Sequence, residues 1–319
     1  MKNIYSLCLL FSLAPGLVAF ECPKKPSPGA AIAETGLDCP WAGAARLLSE
    51  AADKKEAQGP ILSAYAPGIL KQLAADKAAP ALKQLWGESI NFDELANGVI
   101  VSPDLLAFLA SELGVAPPKG RYAHAGMEHT YGYLFSLLET KFGFKRARWV
   151  SDDITAGLGL PDGLIGPAPA EGTLLSNVTC LAGGIALKDD AAAAGLLKSL
   201  RCPPALRKFV TAKVPRQRLT ETVSLPGKRT VVLRTDFVPF DKTSAAGNSH
   251  LLIYSVYDSA SNKASLITAF PVAKSFVQNA LDPKGLGKDK PVQTRYNAWV
   301  EGLTGVNVKG RREAVLPRK

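Results

Sequence analysis

Histidine is scarce: His124, His129 and His250 are the whole set in 319 residues. No Cys-x-x-Cys pair occurs and no histidine lies near a cysteine, which excludes the common structural zinc sites. Gly183-Gly184 is followed by no Gly-Lys-Ser/Thr, so it reads as a turn and not as a phosphate cradle. Gly157, Gly159 and Gly163 have Pro161 among them, which excludes a dinucleotide-binding turn. There is no internal repeat. With 47% hydrophobic and 21% charged residues, the composition is that of a globular protein.

The first residues carry a location signal. Lys2 precedes an apolar run from Ile4 to Leu13, Pro15-Gly16 ends it, and Ala19 offers a small residue for cleavage. A run of about ten apolar residues is too short to stay in a bilayer as a spanning helix. The expectation is a signal peptide over 1–19, a secreted or periplasmic product and no transmembrane anchor after cleavage. Removal of Cys8 leaves Cys22, Cys39, Cys180 and Cys202, an even set in an oxidising compartment. Three pairings are open; Cys22–Cys39 with Cys180–Cys202 closes the two short loops and is the expected one.

Charge is unevenly divided. Residues 20–118 hold 8 Lys+Arg and 12 Asp+Glu, whereas residues 119–319 hold 29 and 16. The C-terminal part therefore either meets an anionic partner, such as RNA or another polyanion, or carries its cations as a solvated face.

The pattern along the chain predicts an α+β protein. After an extended lead-in over 20–39, residues 40–116 read as an N-terminal helical bundle of four proline-bounded helices: 42–56, 60–73, 80–86 and 103–113. Ser102 before Pro103 is the expected cap of the last. Pro117-Pro118-Lys119-Gly120 marks a boundary. Beyond it, residues 120–305 read as a basic domain of antiparallel sheet with a few helices, and 306–319 as a mobile basic tail. Tyr131, Tyr133 and Phe135 alternate, as do Phe142 and Phe144, which predicts strands. Further strands are expected over 230–238, 250–257 and 264–270, the last two as a hairpin around 258–262. Helices are expected over 189–200 and 272–281, and a loop over 156–172. Asn177-Val178-Thr179 is a glycosylation sequon.

Few side chains offer chemistry. His124 and His129 are five apart, which on a helix turns them about 140° from each other, so they make no metal pair. His129 can serve as a general acid or base near neutral pH, or be a half-buried histidine bonded to a carbonyl. In a strand, Arg146 and Arg148 would share one face and could grip a phosphate, with Trp149 beside them to stack on a base; the same residues would also serve as an exposed strand edge. Arg295 and Tyr296 have a similar flavour. Ser249 and His250, adjacent in a strand, would point to opposite faces and form no nucleophile–base pair.

Ala125-Gly126-Met127-Glu128-His129-Thr130-Tyr131 resembles the Ser-Gly-Phe-Glu-His-Val-Phe segment of the EndoU-type endoribonucleases. That family carries a second histidine in a Gly-Phe-His-Asn-Trp segment. Here Phe142-Gly143-Phe144-Lys145-Arg146 takes that place, with Lys145 sixteen residues after His129. Lys263 to Pro271, followed by a helix, is similar to the family's lysine-bearing third element. The resemblance spans residues 120–149 and, more weakly, 263–281, and requires an insertion over about 155–230. It implies cleavage of single-stranded RNA, with His129 as acid or base, Lys263 steadying the phosphate, Lys145 or His250 in place of the missing histidine, and Arg146, Arg148, Trp149, Arg295 and Tyr296 holding substrate. Manganese is the one cofactor that the resemblance implies, without a defined ligand set. The alternative expectation is a non-catalytic secreted or periplasmic protein that binds a polyanion or an envelope partner.

Overall fold

The computed structural model describes residues 40–87, 89–91, 100–116, 123–140, 143–244, 246–287, 289–291, 298–300 and 309–315. Helices α1 (Pro40–Asp53), α2 (Gln58–Tyr65), α3 (Pro67–Lys77) and α4 (Pro80–Leu85) come first, then strand β1 (Ser89–Asn91) and α5 (Pro103–Leu113). Strand β2 (Ala123–Ala125) leads into α6 (Met127–Gly132), a 3-10 turn (Tyr133–Phe135) and the short strands β3 (Glu139–Thr140) and β4 (Gly143–Phe144). Helices α7 (Ala147–Val150), α8 (Asp153–Gly157), α9 (Leu174–Ala186), α10 (Ala191–Ser199) and α11 (Pro204–Thr211) follow. The long strands are β5 (Gln217–Ser224), β6 (Thr230–Pro239), β7 (Asn248–Asp258) and β8 (Lys263–Ala273). The described chain closes with α12 (Lys274–Ala280), β9 (Asp289–Pro291), β10 (Ala298–Val300) and β11 (Lys309–Val315).

The fold is α+β. Its main sheet has the order β8-β7-β6-β5-β11-β9 with antiparallel pairs throughout, and a second sheet has the order β10-β1-β2. Because successive side chains leave a strand on opposite faces, Leu251 and Ile253 enter one apolar cluster while Leu252 and Tyr254 enter another. The first cluster also takes in Leu48, Leu73 and Leu109 from the early helices and Val178 and Leu181 of α9. A single core thus joins the N-terminal helices to the sheet. The second cluster lies on the far face, with Val277 of α12. Trp86 pins α4 to the sheet edge: it bridges to Leu266 of β8, and its indole N–H donates to Thr179 Oγ1 at 2.9 Å.

Turn chemistry and period predict the β7–β8 hairpin, α10 and α12 to within a few residues. The same holds for α1, α4, α5 and β6, whereas at other places the structure corrects the pattern. The segment read as a strand through Tyr131, Tyr133 and Phe135 is α6 and a 3-10 turn. Every residue from Gly126 to Ser136 is buried, so its aromatic alternation never marked one dry and one wet face. Glu139 and Thr140, between the two runs of alternating aromatics, form strand β3, paired with Gly143 and Phe144 of β4. Arg146 and Arg148 sit on a turn and in α7, not on a strand face. The helix read as 60–73 is two helices, broken where Pro67 denies a continuing N–H. Ser102 stands at the N-cap of α5 but its side chain makes no capping bond. The segment from Lys309, read as a tail, is β11, paired with β5 and β9. Pro117 to Gly120 lie outside the described residues, as do Cys22 and Cys39.

Gly183-Gly184 is no turn. Both glycines lie inside α9, where a Cβ on Gly184 would stand 2.7 Å from the Phe209 backbone and one on Gly183 2.7 Å from Leu197. The glycines let α11 and α10 lie directly against α9. Cys180 of the same helix is bonded to Cys202, as expected from the sequence, which ties α9 to the chain entering α11. A cross-link of this span stabilises by about 3 kcal/mol, mostly by restricting the unfolded chain. Asn177 is fully buried and donates to the carbonyls of Leu164 and Glu171, so its sequon presents no amide for glycosylation. Gly184→Ala should destabilise by about 1–3 kcal/mol, because helix backbone must move to admit the methyl. Exposed Gly195 in α10 has nothing within 4 Å of an added Cβ, and Gly195→Ala should stabilise by up to about 1 kcal/mol. Urea midpoints of the two variants check the pair.

Candidate functional site

Asp76 at the end of α3 is 1% exposed and positions the segment that bears His129. Tyr131 of α6 donates its hydroxyl to Asp76 Oδ2 at 2.5 Å, and Thr173 donates to Asp76 Oδ1 at 2.6 Å. Thr173 is also the N-cap of α9, in a reciprocal capping box with Ser176. Burial outweighs these two bonds and pushes the Asp76 carboxyl up to about 6.

Two residues before Tyr131, His129 is 3% exposed. Its Nδ1 lies 3.3 Å from Glu128 Oε1, and its ring meets Tyr133 edge-on with centroids 5.1 Å apart. It lines a cavity of about 10 Å³ with Trp86, Thr130, Trp149 and Thr268. That is room for one water molecule, not for a nucleotide.

The sequence-predicted binding residues 145–149 converge here, but inward. Lys145 Nζ stands 5.6 Å from the Tyr133 ring centroid. The Arg148 guanidinium is sandwiched between Tyr133 at 4.6 Å and Phe270 at 4.2 Å, and donates to Thr268 Oγ1. Burial lowers its pKa, opposed by Tyr133. Arg146 lies on the Phe144 ring at 4.1 Å and donates to the Ser136 carbonyl. Trp149 is buried, with its indole N–H unbonded among the described residues. The expectation that Arg146 and Arg148 grip a phosphate while Trp149 stacks on a base is therefore corrected: all three are packed inside, the guanidiniums against buried Tyr133 and partly buried Phe144 and Phe270.

Lys263 and His250 do not join them. Lys263 is exposed at the start of β8, and His250 pairs with Val272 near its end, so their backbones are about 30 Å apart along the hairpin. The expected meeting of His129, His250 and Lys263 is absent. Arg295 and Tyr296 lie outside the described residues. The expectation for Ser249 and His250 is also corrected. A register shift between Asn248 and His250 makes a bulge there, which lets Ser249 Oγ lie 2.8 Å from His250 Nδ1. Burial, then Lys274, lowers the His250 pKa. Among the described residues no three of His, Cys, Asp and Glu gather as metal ligands, and no helix is long and apolar enough to cross a membrane.

The exposed cations lie elsewhere. Residues 198–218 hold seven Lys+Arg and no Asp or Glu. Lys198, Arg201, Arg207, Lys208 and Lys213 are exposed, and none pairs with a carboxylate among the described residues. They follow one another from the last turn of α10 through α11 into β5. Leu206 and Phe209 of α11 are buried, so its apolar face is occupied and its polar face carries Arg207 and Lys208 outward. At the far end Asp236, fully buried, accepts both nitrogens of Arg218 at 2.8 Å and Arg216 Nε at 2.9 Å. This ridge was readable in advance as the longest interval between carboxylates in the basic half, but only the structure shows its cations outside and 145–148 inside.

The chain matches no known protein family, no curated protein and no solved structure.

Because Asp76 binds its proton more tightly folded than the usual 3.8, its share of stability is complete below about pH 4 and is lost as pH rises through 6. The stability of the wild type relative to Asp76→Asn should fall by about 2–3 kcal/mol between about pH 4 and pH 7. Denaturant titrations of both proteins across that range measure the difference.

Proposed function

We propose that this is an exported, non-catalytic protein that holds a linear polyanion along the ridge from Lys198 to Arg218. The observation that carries the reading is an interval of seven cations without a carboxylate, five of them exposed and unpaired among the described residues. A solvated cationic row of this kind attracts a polymer by releasing its counterions, with no requirement for a cleft. Export is supported by the layout of residues 1–19 and by the Cys180–Cys202 bond.

The ridge gives no support to base recognition. Phe209 and Trp149 are buried, so neither offers a ring for a nucleobase. Phosphodiester cleavage also gains little from the geometry. His129 lies in a one-water cavity, and the lysine and second histidine expected to assist it lie far along the β7–β8 hairpin. The occupant that fits is an acidic polymer recognised by charge, such as an envelope or matrix polysaccharide.

Elution from a heparin column by a salt gradient tests the reading. The triple variant Lys198→Glu/Lys208→Glu/Lys213→Glu should elute at lower salt, and the log–log salt slope of binding should fall by about one per lost contact. Coincident elution of variant and wild type would remove the ridge from the account. His129-dependent cleavage of a uridine-containing RNA, with or without manganese, would overturn the non-catalytic reading.

A further inference from the structure

Beside the ridge, on the sheet face turned toward α10, Thr220, Arg234 and Ser255 stand in one row across β5, β6 and β7. Residues paired in this way carry their side chains on the same face, about 5 Å apart. Burial deepens along the row: Thr220 and Arg234 are half-buried and Ser255 is fully buried.

Two groups in the row have unused hydrogen-bonding capacity among the described residues. The Arg234 guanidinium lies over the Tyr257 ring at 5.5 Å and has no hydrogen-bond acceptor. The Ser255 hydroxyl has no partner either. Unbonded buried polar groups are costly, and a guanidinium over an aromatic ring can still offer its N–H donors to an acceptor.

The neighbouring charges favour an anion. Arg218 is the diagonal neighbour of Arg234 across the β5–β6 pair. Burial, and then the Arg218 charge, lowers the Arg234 pKa, opposed by Asp236 and Asp190. Both carboxylates are already engaged. Asp236 is bound by Arg216 and Arg218, and Asp190 caps α10 by accepting the Ala193 N–H at 2.9 Å. The Tyr257 hydroxyl is likewise engaged, donating to Asn262 at 2.9 Å.

We propose that Arg234, with Ser255 and Thr220 beside it, forms a binding site for a single oxyanion group: a phosphate, sulfate or carboxylate met by the guanidinium fork. The site deepens the polyanion reading by naming the group that is recognised, and it rests on that reading only for the polymer to which the group belongs. Two parallel N–H donors suit a pair of oxygens on one atom, which the ridge lysines cannot match.

Calorimetric titration of inorganic phosphate, sulfate and acetate into the full mature protein, at constant ionic strength and with chloride as control, tests the site. Saturable binding of at least one oxyanion is expected, and the strongest of the three names the group. Arg234→Lys keeps the charge but removes the fork and should weaken binding about tenfold or more; Arg234→Gln should abolish it. The ridge variant Lys198→Glu/Lys208→Glu should keep this binding while losing heparin retention, so the two readings fail separately. No saturable binding by the wild type, or equal binding by wild type and Arg234→Lys, would overturn the proposal.

Discussion

One carboxyl group ties together the elements on which the rest of the structure depends. Asp76 of α3 accepts hydroxyls from Tyr131 in α6 and from Thr173 at the head of α9. One turn earlier, Gln72 accepts the Leu174 N–H and donates to the Pro167 carbonyl. Three segments far apart in sequence are thereby fixed at one point. Helix α9 then sets the places of α10 and α11 through its paired glycines and its disulfide, while α6 sets the place of His129. The cost is a carboxyl held out of water, which explains its raised pKa. A hydrophobic residue at 76 could fill the volume but could not accept from both hydroxyls, and each would keep a buried O–H without that acceptor.

Two groups of the protein's cations show different physics. Lys145, Arg146 and Arg148 are buried against Tyr133, Phe144 and Phe270, where a cation over a ring face recovers part of the lost hydration and the long side chains fill core volume. The cations from Lys198 to Lys213 remain in water, where they cost little and project a field. Of these two groups, only the second faces solvent and can meet a large partner. A count of cations near His129 therefore counts buried side chains and not a solvent-facing patch.

The features readable in the sequence are those whose pattern one local interaction controls. The β7–β8 hairpin is marked by two apolar runs around Asp258 to Asn262, and Cys180–Cys202 by proximity in an even set of cysteines. Four features depend on partners that the sequence does not name. Tyr131 to Phe135 alternate like a strand, but burial on all sides erases the difference between period two and a helical turn. Gly183-Gly184 has the composition of a turn, and only the approach of Phe209 shows that the space, not the flexibility, is needed. Lys309 to Val315 looks like a solvated tail because its charges say nothing of its backbone, which is bonded on both sides. The bulge at Ser249 inverts the facing rule for His250 by one extra residue. For the candidate site, the residue types of the ridge were in view from the start, whereas the inward turn of Arg148 and Trp149 required the fold.

Pairing decides which arginines of the sheet remain available. Asp236 satisfies Arg218 twice and Arg216 once, so these two contribute little beyond the first solvent layer. For Arg218, burial alone would lower the pKa, but the Asp236 bond more than restores it, which marks a guanidinium already satisfied. Arg234, one row further along β6, has no such bond among the described residues, and burial lowers its pKa. The geometry separates the two neighbours: Arg218 is closed on Asp236 by two hydrogen bonds, while Arg234 lies over Tyr257 with no acceptor among the described residues. In the proposed reading, the ridge would attract the polymer by a field that acts over about a Debye length and fades with salt. The proposed group-specific contact is the one at Arg234, where partial burial would limit that screening.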